Sequence, residues 1–420
     1  MQRILLASAS ALAFLAAVPA LAQDNDSTVT QTGTDAVATV TQSGSAAAST
    51  VTQGGDNNAA TVTQSGNGAE SIVLQDNGTG GGSNASDDNN SATIDQTGDS
   101  YSRVRQYNDN ADAQVTQNGD GNSSDILQTG DNDDAFVDQQ GSDLTSTIAQ
   151  SGNSNDANVS QSGDTNQSGI IQSSGANVAI VTQEGSLNES SILQNGLGLN
   201  TANVEQTGED NDSQITQGGI ANDAGDDATV RGVFQSGDRN SSQISQSGGL
   251  QDAAVRQTGD DNDSQITQGG SLGAAHYADV DQSGNGNGSV ISQAGSHLAD
   301  VDQSGNDNSS TVTQYGWSQA AYVDQVGDGN TSSIDQGTAL NGSDQYASVA
   351  QNGDDGMSTI TQRGQDQRAE LTQGGLSNES FIDQSGSDHL AEVTQDGADN
   401  YSSVIQSGSG SSATVTQTSD

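Results

Sequence analysis

The chain has 420 residues, of which 29% are hydrophobic and 3% aromatic, with 53 Gly, one Pro and no Cys. That composition excludes the wide core an α/β enzyme needs, and taken alone it points to disorder. Eight Arg, no Lys and 55 acidic residues give a formal net charge of −47. Nucleic acids and anionic membranes are therefore excluded as partners, because binding them needs basic patches.

Residues 1–22 read as a secretory signal peptide. Arg3 is the basic start, Ile4 to Val18 the apolar run, and Ala20-Leu21-Ala22 the small-x-small cleavage site. About fifteen apolar residues are short for a membrane span, and no later segment is more apolar. The mature chain is expected to be exported and not membrane-spanning. Such a compartment permits disulfides, and the sequence has no Cys to form them. Residues 23–26 are a short amino-terminal segment before the first repeat.

From 27 to 417 one phrase recurs: a small residue, any residue, Val or Ile, any residue, Gln. It appears 34 times, mostly at eleven-residue spacing. Gln303 to Gln325 shows it twice, with Asn308, Ser310, Val312 and Gln314 in the first half and Ala321, Val323 and Gln325 in the second. Alternation with a period of two is that of a β-strand, and Val, Ile and Thr favour strands. Gly two residues after most of these Gln, often followed by Asn, Asp or Gly, supplies turn chemistry.

The small residue itself alternates: Ser27, Ala38, Ser49, Ala60, and so on to Ser402 and Ala413. Ser units often carry Ile and Ala units Val, so the repeat is 22 residues. The fold class expected is all-β: a flattened β-solenoid of about seventeen two-strand turns, Ser strands stacked on one side and Ala strands on the other. Long intervals before Gln96, Gln282 and Gln351 leave the alternation in phase, so they read as loops from turns. One unit, Ala228 to Gln235, places either Val230 or Val233 inward and predicts a bulge.

Both ends are expected to be uncapped. Ser27, Val29 and Gln31 form the first strand, and Ala413, Val415 and Gln417 the last, before a tail at 418–420. Open strand edges template further pairing. Seventeen turns at the inter-strand distance make a rod of about 80 Å. Stacked Gln amides, able to donate and accept along the axis, are expected to assist.

No catalytic residue and no cofactor are expected. His276, His297 and His389 fall in or near turns and read as solvated. Acid-rich turns such as 131–134 and 259–264 could ligate Ca²⁺ through oxygen atoms, but they match no calcium-loop motif and read rather as solvated turns. Asp281, Asp302 and Asp324 hold one outward position in three successive Ala strands, a speculative cation row in which like charges oppose each other. Protonation or divalent cations would relieve it.

The alternating Ser-x-Val/Ile-x-Gln-x-Gly-x-x-Asn and Ala-x-Val-x-Gln units resemble the curlin repeat of bacterial curli subunits, with Gln303, Gly305, Asn308, Ser310, Val312 and Gln314 fitting every position. Departures include Ala69, Leu144 and Gln367 at the Asn position. The resemblance implies an extracellular functional amyloid fibre on the bacterial cell surface, a homopolymer serving adhesion and biofilm matrix. It also implies a nucleator subunit and an outer-membrane curli-type secretion pore as partners. The alternative is a monomeric cell-surface β-solenoid acting as an adhesin or cation-binding module.

Overall fold

A computed structural model describes residues 24–76, 89–224, 232–270, 275–337 and 343–419. The signal peptide, most of the insertion before Gln96 and Val230 lie outside them. Among the described residues the regular structure is all β, and every strand pairing is parallel. Each strand pairs with the one a full repeat later: Ser310 with Ser332, Val312 with Ile334, Ala321 with Ala347. Consecutive strands therefore lie on opposite sides of the core, and the chain winds as a two-sheet solenoid of about seventeen turns.

Period-two alternation sets the burial. In Ala59–Gln64 the inward Ala60, Val62 and Gln64 are buried, and the residues between face out. The inward aliphatics of both sheets join one continuous cluster, with the Ile residues of Ser strands such as Ile126, Ile148 and Ile170 fully enclosed. That core is one side chain deep per sheet, which is how a chain so poor in apolar residues still buries a core.

Corners are made by two backbone devices. Gly305, two residues after Gln303, has φ 126°, and Asp307 takes a left-handed φ of 56°. Glycine is required at Gly305 for a second reason: a Cβ there would sit 2.0 Å from the carbonyl oxygen of Gly327, one turn on. In Gly288–Ser304 and Ser309–Val326 the strand runs unbroken through a corner.

The irregular unit resolves in favour of Val233, which is buried and registers with Val204 and Val255. Its buried small residue is Ala224, which registers with Ala202; Ala228 lies outside the described residues. The strand is split into Asp223–Ala224 and Val233–Ser236, so the extra residues enter within a strand rather than at a turn.

Candidate functional site

Every inward Gln is an element of a ladder. Gln303 Nε2 donates to Gln325 Oε1 at 2.8 Å and to the Gly288 carbonyl at 3.1 Å. Gln314 does the same with Gln336 Oε1 at 2.8 Å and the Leu298 carbonyl at 2.9 Å. One amide hydrogen thus runs along the axis, and the other crosses to the start of a strand in the opposite sheet. The Gln ladder ties turns together and also ties the two sheets together.

A second ladder occupies the corners. Asn308 Nδ2 donates to Asn287 Oδ1 at 3.1 Å and to the Gly327 carbonyl at 2.8 Å, while Asn308 Oδ1 accepts the Asn330 backbone N–H at 2.9 Å. Gln side chains donate toward the carboxyl-terminal end and Asn side chains toward the amino-terminal end, so the two rows of amide dipoles oppose. Sequence reading noted this Asn without recognising that it is buried. The signal was present: where it occurs, this Asn stands six residues before the closing Gln, an even spacing in phase with the inward positions.

That position corrects the reading of the histidines. His276, His297 and His389 each stand six residues before a closing Gln, and all three are buried in the corner rather than solvated. His276 and His297 lie on successive turns with ring centroids 5.6 Å apart. Neither ring nitrogen of His276 makes a hydrogen bond of good geometry, its nearest polar influence being the Gly269 backbone, and Nδ1 of His297 has no partner among the described residues. Burial, and then the neighbouring His297, pushes His276 down to about 4, and the nearby Gly269 backbone offsets this only in part. Asp133, read as part of a solvated acidic turn, is likewise buried at a ladder position and accepts from the Asn155 backbone and side chain. Burial pushes it up to about 6.

The Asp row is formed as expected: Asp281 registers with Asp302, and Asp302 with Asp324. A parallel row, Asp279 and Asp300, lies beside it on the same outer face. Burial, followed by Asp300 and the other neighbouring carboxylates, pushes Asp302 up to about 6. Arg256 reaches Asp281 at 3.2 Å, so one end of the row is partly neutralised. Among the described residues no three or more His, Cys, Asp or Glu are grouped to hold a metal ion.

The end strands differ from the interior. Val29 is 45% exposed where its register partner Val51 is fully buried, and Ala413 and Val415 are only partly covered. Gln31 donates to Gln53 Oε1 at 2.7 Å, but its own Oε1 accepts no bond among the described residues. At the other end Gln417 Oε1 accepts from Gln395 at 2.8 Å, and among the described residues Nε2 donates only to the Tyr401 carbonyl. One end of the Gln ladder therefore offers acceptors and the other donors.

The family model of the curlin associated repeat matches residues 108–141, 125–152, 237–270, 294–316, 305–337, 364–397 and 390–418. A search of curated proteins found no match. Among the described residues no helix is long and apolar enough to cross a membrane.

Proposed function

The chain is a curlin-repeat protein, and from that premise we propose that it is the subunit of an extracellular, curli-like amyloid fibre that grows by end-to-end stacking. The observation that carries this reading is the polarity of the Gln ladder. The open acceptors of Gln31 and Gln42 are complementary to the open donors of Gln406 and Gln417, Ser strand to Ser strand and Ala strand to Ala strand, so one copy set on another continues both Gln ladders. Phase is kept as well. The first described strands are a Ser strand then an Ala strand, and so are the last, so Ser stacks on Ser and Ala on Ala. Covering Val29 and the exposed strand edges adds apolar burial and backbone pairing.

The role is structural, not enzymatic. Fibres at the cell surface would serve adhesion and biofilm matrix, and residues 1–22 would direct export. A nucleator subunit and an outer-membrane secretion pore are the partners this reading calls for.

The test is incubation of the purified chain without its leader. Thioflavin-positive fibres with a meridional reflection near 4.7–4.8 Å are expected. Persistent monomers would reject the fibre reading in favour of a monomeric surface solenoid.

A further inference from the structure

Alternate turns of the chain fall on opposite edges of the solenoid, and the two edges differ in charge. One edge carries the turns that lead from a Ser strand into an Ala strand. Over eight successive turns of this edge, whose described residues are 151–155, 173–177, 195–200, 218–222, 247–251, 269–270 with 275–276, 294–297 and 315–319, there is no Asp, Glu, Lys or Arg. The eight facing turns on the other edge hold nine acids and one Arg, among them Glu209, Asp210, Asp238 and Asp261. The acids nearest the uncharged edge, Asp156, Asp223 and Asp252, belong to strands rather than turns.

The uncharged edge is also apolar. Leu197, Leu199, Leu250 and Trp317 are 68%, 60%, 56% and 57% exposed. Leu199 and Leu250 hold left-handed backbone conformations, φ 58° and 59°, at the corner position that Asn57, Asn110 and Asn132 occupy lower in the same edge. A bulky residue is disfavoured there, and an exposed one gains no burial in return. Neither local conformation nor packing within the chain accounts for these leucines.

We propose that this edge, from residue 151 to 319, is a lateral contact between fibres, in which it meets the same edge of a second copy. This rests on the fibre reading given above. Charge selects the occupant. Two copies of a chain of net charge −47 repel, and this edge lets them approach without setting acidic turns against acidic turns. A basic partner would be drawn to the other edge. Meeting of like edges is an isologous contact, which a two-fold axis satisfies. Size selects the context. Eight turns span about 35 Å, and a two-sheet edge is about 10 Å thick. That footprint is well below the ~800 Å² per partner of a stable pair, so lone copies stay apart. Along two fibres the contact repeats with every subunit, and multivalency holds them.

The experiment uses the full mature chain with Leu199→Asp, Leu250→Asp and Trp317→Asp together. Asp is already present at equivalent corner positions of this edge, at Asp366 and Asp388 in the left-handed site and at Asp109 and Asp131 in the preceding one, so the fold accommodates it. The charge-matched control places Asp on the other edge, with Ala46→Asp, Thr165→Asp and Leu187→Asp. Fibre width is read by electron microscopy and bundling by low-speed sedimentation. Wild type and control are expected to form paired or bundled fibres. The Leu199/Leu250/Trp317 variant is expected to give single fibres at unchanged thioflavin yield, with at least a tenfold loss of sedimenting material. Bundles that persist in this variant, or that dissolve equally in the control, overturn the proposal. Wild-type fibres that stay single, but lose adsorption to an apolar surface when the edge is charged, assign the edge to that surface instead and also overturn it. A wild type that forms no fibres at all overturns the fibre reading, and this contact with it.

Discussion

The imidazoles of His276 and His297 stack on successive turns of one corner, ring centroids 5.6 Å apart and tilted by 51°, where neighbouring turns place Asn or Gln amides. An amide can donate and accept along a ladder; these two rings leave ring nitrogens without hydrogen bonds of good geometry. His276, held down to about 4 by burial and by His297, is neutral in the fold. Its folded pKa lies below the ordinary value of about 6.5, so its contribution to stability is present above that value and is lost as pH falls toward 4. Amide protection factors across 276–283, the exchange rates corrected for the intrinsic pH dependence, are expected to fall between pH 6.5 and 4. His276→Asn with His297→Asn, which restores ladder residues, is expected to flatten that dependence. An unchanged pH profile in the double variant would refute the assignment.

Asp302 has the opposite sign. Its folded pKa is raised to about 6, so its contribution is full below the ordinary carboxylate value and is lost as pH rises through 6. Asp302→Asn is expected to stabilise the solenoid at pH 7 by about 1 kcal/mol or less, because the face is solvent-screened, and to do nothing at pH 4. Fibre-growth lag should shorten at mildly acidic pH in the wild type and not in the variant. Millimolar Ca²⁺ at pH 7, acting on the same row, should shorten the wild-type lag alone. Chemical denaturation at the two pH values and thioflavin kinetics read these outcomes.

Gln314 tests the ladder. Replacing it by Leu strands the second hydrogen of Gln293, the Oε1 of Gln336 and the Leu298 carbonyl in a dry core. A loss of about 2–4 kcal/mol is expected. Thr313→Ala, one residue away on the outer face, should stay within about 0.5 kcal/mol. Equal denaturation midpoints for the two variants would show that the ladder contributes little.

Gly305 and Gly408 separate close approach from backbone conformation. Both have positive φ, at 126° and 95°, but a Cβ at Gly305 meets the Gly327 carbonyl oxygen at 2.0 Å, whereas at Gly408 it meets nothing within 4 Å. Gly408→Ala is expected to cost about 1 kcal/mol from conformation alone. Gly305→Ala should cost more than about 2 kcal/mol, because the stacked turns must move apart. Thermal unfolding of the two variants distinguishes them. In assembled fibres Gly408→Ala should become the costlier of the pair's two states, since stacking would bring a neighbouring turn onto it.

The sequence alone determined the strands, their two-residue burial pattern, the 22-residue repeat and the stacking of like on like. Each follows from a regular spacing, and parallel in-register pairing is the arrangement that lets identical spacings coincide. Ladder positions Gln303, Ser310, Val312, Gln314, Ala321, Val323 and Gln325 were legible for the same reason. Tertiary structure decided what happens at the corners. Whether Asn308, His276 or Asp133 faces water depends on the chain folding back at that residue, and a corner has no period-two pattern to read. It also placed Val233 inside, because only register with Val204 and Val255 distinguishes it from Val230. Most of all it divided the turns between two edges. Along residues 151–319, uncharged turns are interleaved with mostly acidic ones. Winding gathers every second turn on one side, so over residues 151–319 a charge pattern with little local contrast becomes one acidic edge and one uncharged edge bearing exposed leucines.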